Sequence, residues 1–565
     1  MYRMPRLLLV LALSACLVSV SAPATAVTWP AGTHRIALQV TRLEGPNRYE
    51  TAVAVARAGW PGWADVDHVI VASGEDRAFA DPLVAGSLCW AYDAPLLLVR
   101  YGDVPAAVRA ALREIKAANG TVKVTVVGGT ASVSTSVTGQ MAAILGPGSV
   151  EQPWDGGDRY STAAGVAARV SQVARETSRT VPARAFVANG TDDFGFVDAA
   201  ALSAVSARTG VPVLLTRTDT LPDATRRRLA SLPAGDVIVA GSAAAVSEAV
   251  YAASGSTDRW EGPNRYATAA AIAAGARSRG WLTGTVVGIA GSIPDALAGA
   301  SLLGRLGGPV LHTRSDALPR ETAYYLSAQT GVLTQARIFG STATIAADVA
   351  AELGGSPTRP RVMSPTGTYV AKKARYTVST GINTSEVRLY FGSTLVSSQP
   401  ARSYATVDFG VRSAPADGVT VRVVAVNPDG RQSAYSKATR RLVYPAADSI
   451  VVDKSEFRLY LVKGDVLVKD YPVAIGAVGA ETPPAMWKIN AKYYTYPLGA
   501  YGPRKMRLYR QVGSSYVYTA YNVHGTNQPW TIGTKASAGC VRLYNEDILD
   551  LFPRVPLGML VQTRE

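Results

Sequence analysis

Twenty residues near the end of the chain hold the side chains that could do chemistry: His524-Gly525-Thr526 and, after a short interval, Ser537-Ala538-Gly539-Cys540-Val541-Arg542-Leu543. The 565-residue chain has three cysteines and four histidines. Cys16 sits in an N-terminal apolar run, Cys89 in Leu88-Cys89-Trp90 reads as packing, and His34, His68 and His312 stand alone beside apolar residues. Only His524 and Cys540 share a short, polar, Gly-rich stretch. A free thiol titrates near ~8.5 and is a few per cent thiolate at neutral pH. A neighbouring imidazole that takes the proton makes it a nucleophile. Gly539 lets backbone approach a ligand, and amides around Gly539 and Cys540 can face a developing oxyanion, with Ser537 as an orienting group. Cys, His and a third orienting group form a constellation for acyl transfer. The third group is not visible in the sequence; a backbone carbonyl is one candidate.

These residues resemble the signature of the L,D-transpeptidase (YkuD-type) family, in which a His precedes Ser/Thr-His-Gly-Cys, an apolar residue and Arg or Asn. The resemblance spans about residues 446–565. Ala538 departs from the pattern, standing where the family has His. The resemblance implies that Cys540 accepts the acyl group of a peptidoglycan tetrapeptide stem, that His524 is its base, and that a terminal D-alanine leaves. An amine would then form a 3→3 cross-link, or water would make the reaction a carboxypeptidation. A non-catalytic wall-binding protein is the alternative. Arg542, Gly525 and Thr526 are expected at the substrate, Arg542 through a bidentate carboxylate pair or, alternatively, tied to Glu546 or Asp547. Tyr493, Tyr494, Tyr496 and Tyr501 are expected along the groove and Trp530 in a flap. Thiol chemistry of this kind needs no metal or cofactor.

The elements that must position the pair begin far upstream. Arg3 and Arg6, the apolar run Leu7 to Val20 and Ala24-Thr25-Ala26 read as a secretory signal over 1–26. Leu13-Ser14-Ala15-Cys16, a lipidation box, is the alternative. No later stretch reaches the ~18 apolar residues of a membrane span. The chain is thus expected outside the cell; the resemblances place it at the wall. Two remaining cysteines give no disulfide framework.

An internal repeat fills the first half. Gly45-Pro46-Asn47-Arg48-Tyr49-Glu50-Thr51-Ala52 returns from Gly156 with Arg159-Tyr160 and from Gly262 with Arg265-Tyr266. Each copy continues through an apolar strand, an Asp before a helix (Asp81, Asp198, Asp295, expected as N-caps), a Pro-led strand and a strand ending in Gly. Buried strands alternating with helices predict three α/β parallel-sheet repeats, at 38–144, 145–252 and 253–355. The G-x-x-R-Y-x-T-A element resembles the cell wall binding repeat 2 family, which implies attachment to an anionic wall polymer.

Gly354-Gly355-Ser356-Pro357 and Pro360 mark a linker. Short alternating runs over 362–445, with a turn at Asn427-Pro428-Asp429-Gly430, predict a β-sandwich spacer of immunoglobulin-like type that holds the last domain off the anchor. The net charge of +15 is uneven: residues 356–445 hold 13 Lys/Arg against 4 Asp/Glu, and residues 446–565 hold 14 against 10. A basic extracellular surface suits anionic wall polymer better than nucleic acid. The terminal 446–565 reads as mostly β, with one helix over Asn545 to Phe552.

Overall fold

The computed structural model describes residues 34–565 except 155–156, 192, 233–234, 366–368, 416–417, 440 and 443–447. The expected signal over 1–26, with its alternative at Cys16, lies outside the described residues.

Each repeat forms a four-stranded parallel sheet. The first runs Leu96–Val99, His68–Ser73, Lys123–Val127, Val150–Glu151. Along His68–Ser73, Ile70 and Ala72 pack into one core while Val69 and Val71 pack into another, so both faces are covered. The sheets are offset from the sequence repeat. Val150–Glu151, which leads into the second motif, joins the first sheet, and Asp258–Trp260, which leads into the third, joins the second. The strand ahead of the first motif, Gln39–Leu43, pairs in parallel with Gln335–Phe339 and completes the third sheet. The three units therefore close into a ring. Helices Gly86–Tyr92, Asp193–Thr209 and Ile293–Leu306 pack against one another. Glycines permit this: a Cβ on Gly86 would lie 2.5 Å from Ser203 O, and one on Gly304 2.6 Å from the Ala207 backbone.

The motif explains its helices. Arg48–Gly59, Arg159–Glu176 and Arg265–Ser278 begin at the motif Arg, and the side chains of Asn47, Asp158 and Asn264 accept from amides of the first turn. Asp81, Asp198 and Asp295 are not N-caps, contrary to expectation. They lie within helices Ala80–Val84, Asp193–Thr209 and Ile293–Leu306, and the last is capped by Ser292. All three carboxyls are buried. Burial pushes Asp81 up to about 6 and Asp198 to about 7, and raises Asp295. In each case the motif Arg of another repeat opposes the shift: Arg159, Arg265 and Arg48. The strand-ending glycines make room for them. Gly128, Gly241 and Gly340 have φ of 110°, 104° and 100°, and a Cβ there would approach the Asp Oδ2 to 2.3, 2.7 and 2.6 Å.

The middle segment is two-layered, but it is not a free-standing spacer. One sheet is antiparallel: Thr394–Pro400, Glu386–Phe391, Thr420–Val426, Ser436–Thr439. The other, Arg361–Ser364, Lys373–Ser379 and Thr406–Ser413, continues into the terminal domain, because Lys373 and Ala374 pair with Val466 and Leu467. Val451, Tyr460, Val462 and Leu467 share a core with Tyr376, Leu389, Phe409 and Val423. The expected linker is likewise tied down: Asn383 Nδ2 donates to Ser356 O at 3.0 Å, Asn427 Nδ2 to Gly355 O and Arg431 to Gly354 O, both at 3.1 Å.

From that shared edge the terminal sheet runs Val466–Pro472, Arg458–Lys463, Ser449–Asp453, Leu560–Arg564, Ala485–Tyr494, Arg504–Val512, Ser515–His524, Val541–Arg542. Trp487, Tyr471, Leu508, Val523 and Val541 fill the core beneath it with Ile548 and Leu551 of helix Asn545–Arg554. Among the described residues no helix is long and apolar enough to cross a membrane.

Candidate active site

His524 ends the strand Ser515–His524, and Cys540 immediately precedes the strand Val541–Arg542. The two strands are parallel neighbours, with Val523 opposite Val541 and His524 opposite Arg542. Val523 and Val541 point into the core. By strand alternation Asn522, His524, Cys540 and Arg542 share the opposite face. The register therefore puts the two residues singled out from the sequence on one face of the sheet. Leu543 N donates to His524 O at 2.8 Å, which locks the register.

The imidazole is buried and oriented. Its Nδ1 lies against Gly525 O; donation there leaves Nε2 as the accepting nitrogen. The imidazole is thus oriented by a backbone carbonyl, the kind of group the sequence offered as a candidate third member. The ring of Tyr501 stands edge-on to it at 5.0 Å between centroids. Burial, with Arg542 and Lys505 adding repulsion, brings His524 down to about 4, although the Gly525 carbonyl opposes this. The ring is neutral at pH 7, the form a base requires.

The turn before Cys540 is braced from two sides. Ser537 Oγ donates to Cys540 O at 2.6 Å and accepts from Gly539 N at 3.1 Å. Of the two amides expected at an oxyanion, that of Gly539 is thus already engaged, which leaves the amide of Cys540. Gly539 has φ 94°, and a Cβ there would fall 2.3 Å from Tyr521 Cε1. Ala538 is exposed beside it. Gly525 is close-packed, since a Cβ would meet Asn545 Oδ1 at 2.5 Å, and Thr526 N donates to the same oxygen at 2.9 Å. Gly525 and Thr526 hold the loop after His524 onto the helix and present backbone rather than side chain. Arg542 donates to Gln528 Oε1 at 3.1 Å, so neither expected acidic partner holds it in the described hydrogen bonds. Cys540 and Cys89 are both free thiols. Burial pushes Cys89 up to about 12.

Residues 447–562 match the family model of the L,D-transpeptidase catalytic domain. Residues 42–138, 154–251 and 259–350, together about half of the chain, match that of cell wall binding domain 2 (CWB2). The chain belongs to the CWB2 family and carries an L,D-transpeptidase catalytic domain. The N-acetylmuramoyl-L-alanine amidase LytC of Bacillus subtilis (strain 168) is 28% identical over 315 residues, which covers 56% of this chain and 58% of that protein. The probable L,D-transpeptidase YbiS of Escherichia coli (strain K12) is 37% identical over 138 residues, 20% of this chain and 44% of that one. The putative L,D-transpeptidase YkuD of Bacillus licheniformis is 36% identical over 112 residues, 20% of this chain and 62% of that one. The chain thus spans less than two thirds of the length of each of these relatives.

Within the transpeptidase domain, Tyr501 alone of the four expected tyrosines meets the His524 ring in the described contacts. Arg504 lies over the Tyr494 ring, which stands edge-on to Phe552, and Lys505 lies over Tyr493. Trp530 is 75% exposed on the turn Pro529–Thr531. Among the CWB2 repeats, Asn189, Asp198, Ser242, Asn264, Arg265 and Thr268 line a cavity of about 470 Å³ where the second meets the third. Among the described residues no group of three or more His, Cys, Asp and Glu side chains is arranged to hold a metal ion. Sequence reasoning missed Asn522. Its position two residues before His524 on a strand was the signal that could have found it.

Proposed function

We propose that the chain is a wall-attached L,D-transpeptidase acting outside the cell. Cys540 loses its proton to Nε2 of His524. The thiolate attacks the carbonyl of the third residue of a peptidoglycan tetrapeptide stem, and the Cys540 amide faces the oxyanion. As the intermediate collapses, the proton held by His524 passes to the departing D-alanine nitrogen. An amine of a neighbouring stem then attacks the thioester, its proton goes to His524 and then to the thiolate, and a 3→3 cross-link results. Water in place of the amine would give carboxypeptidation. Arg542 is suited to a stem carboxylate.

The observation that carries this reading is the register of the two parallel strands, which sets a neutral, carbonyl-oriented imidazole and a free thiol on one face. The CWB2 ring supports attachment to the wall, and an anionic polymer is the ligand proposed for it. Incubation with tetrapeptide muropeptides should yield cross-linked dimers and free D-alanine by mass analysis, and a carbapenem should add its mass to the native chain but not to Cys540→Ala. Folded native chain that takes up no carbapenem and releases no D-alanine would instead favour a non-catalytic peptidoglycan binder. Residues 27–355 alone should sediment with purified walls, and undiminished binding after polymer extraction would overturn the polymer assignment.

A further inference from the structure

Asn522 brings a polar side chain to the sulfur. It is 1% exposed, and its Nδ2 lies 3.7 Å from Cys540 Sγ and donates to Ala520 O at 2.7 Å. The Ala520 carbonyl fixes which end of the carboxamide points this way, since an amide oxygen there would face another oxygen. The remaining Oδ1 is buried and has no hydrogen-bond partner. An unpaired buried carbonyl costs free energy that an apolar side chain of the same shape would avoid. Packing alone would therefore be better served by leucine. What the carboxamide supplies, and leucine cannot, is an N–H beside sulfur. Ala538, where the family pattern has His, contributes only a methyl at the exposed rim of the same turn.

The charged and titratable groups around the thiol come from several elements. His524 is on the strand of Asn522, and Arg542 follows Cys540. Lys505 and Arg507 stand opposite His524 and Asn522 in register. Arg507 is held by Thr519 O at 2.9 Å. Tyr501 stands against the His524 ring, Tyr521 lies beside Gly539, and Glu481 sits on the exposed loop whose Ala480 O approaches Gly539. The cations give a diffuse field, whereas Asn522 gives a directed bond at the reacting atom.

We propose that Asn522 stabilises the Cys540 thiolate by donating its Nδ2–H to the sulfur once His524 has taken the thiol proton. This rests on Cys540 being the nucleophile. No atom beyond that proton moves: the S–H bond breaks, the imidazole gains N–H, and the carboxamide stays neutral.

The test is the pH dependence of iodoacetamide alkylation at Cys540 in the full chain, followed by peptide mass mapping. Cys89, 5% exposed, reports folding, because its alkylation should accelerate when the ring opens. The midpoint should rise by about one pH unit in Asn522→Leu, as expected for loss of a hydrogen bond to a charged group, and further in Asn522→Asp. Asn522→Gln should recover part of the shift. Acylation by tetrapeptide at pH 7 should fall about tenfold in Asn522→Leu. Native midpoints in both Asn522→Leu and Asn522→Asp, with Cys89 protected, would overturn the proposal. If Asn522→Leu exposes Cys89, the comparison of Asn522→Gln with Asn522→Ser replaces it, and equal native midpoints there overturn it as well. A midpoint that shifts as stated, in a native chain that never acylates, supports Asn522 as thiolate donor and sinks only the transpeptidase reading.

Discussion

The hydroxyl of Thr482 donates to the carbonyl of Gly539 at 3.0 Å and accepts from the amide of Gly476 at 2.9 Å. The Gly539 carbonyl belongs to the same planar peptide as the Cys540 N–H. Holding one end of that unit aims the other, so a residue 57 positions upstream sets the direction of the proposed oxyanion donor. Thr482→Val keeps the shape and removes both bonds. It should cost about 1–3 kcal/mol in chemical denaturation and slow acylation about tenfold. Acylation at the native rate would sever this link.

The acid limb of acylation should lie near pH 4, where His524 titrates in the folded chain, and not near 6.5. The sign for stability follows. An unfolded chain takes a proton at this imidazole below about 6.5 that the folded one refuses until about 4. Stability should therefore fall as pH drops through that window, and His524→Gln should remove its share. Lys505→Gln takes away a repelling cation and should move the acid limb upward. A pH–rate profile on the single-turnover acylation step checks both.

Asp198 runs the other way. Burial holds its carboxyl at about 7, above the unfolded value near 3.8. The folded ring keeps a proton that the unfolded chain has lost, so stability should decline as pH rises from about 4 to about 7. Asp198→Asn keeps the shape without the titration and should flatten that part of the curve, as read by thermal melts across the range.

Two helical glycines should respond oppositely to alanine. At Gly139 nothing lies within 4 Å of an added Cβ, so Gly139→Ala should stabilise by the usual helix-propensity gain of about 1 kcal/mol. At Gly304 the methyl would strike backbone of Ala207 at 2.6 Å. Overpacking of about 1–3 kcal/mol outweighs the same gain there, and Gly304→Ala should destabilise the ring. Denaturation midpoints of the two variants decide the comparison.

The three repeats were legible because a motif recurring at intervals of 111 and 106 residues survives drift elsewhere. The offset of the sheets was not. Val150–Glu151 and Asp258–Trp260 are too short to show alternation, and their partners lie in another repeat. The Asp residues misled because an acid before a helix suits capping, whereas Ser292 already fills that role for the third helix. The fusion of the middle segment with the transpeptidase domain rests on a two-residue strand pairing, Lys373 and Ala374 with Val466 and Leu467, and on a core the two share, neither of which local patterning can reveal. At the site, residue types pointed to Cys540 and His524. The engagement of the Gly539 amide by Ser537, the Gly525 carbonyl behind His524 and the place of Asn522 on the strand are local in sequence, but the backbone conformation that sets each contact is not written in residue type, and the approach of Asn522 to Cys540 needs the pairing of two strands.

Gln39 pairs with Gln335 and Leu43 with Phe339, so the strand that leads the ring is seated by one made almost three hundred residues later. In any order of folding, that leading strand lacks its neighbour until Gln335–Phe339 is in place. The ring therefore cannot close without the end of the third repeat, and a chain truncated before Gln335 would leave an open, protease-sensitive sheet edge instead of two-thirds of a closed ring.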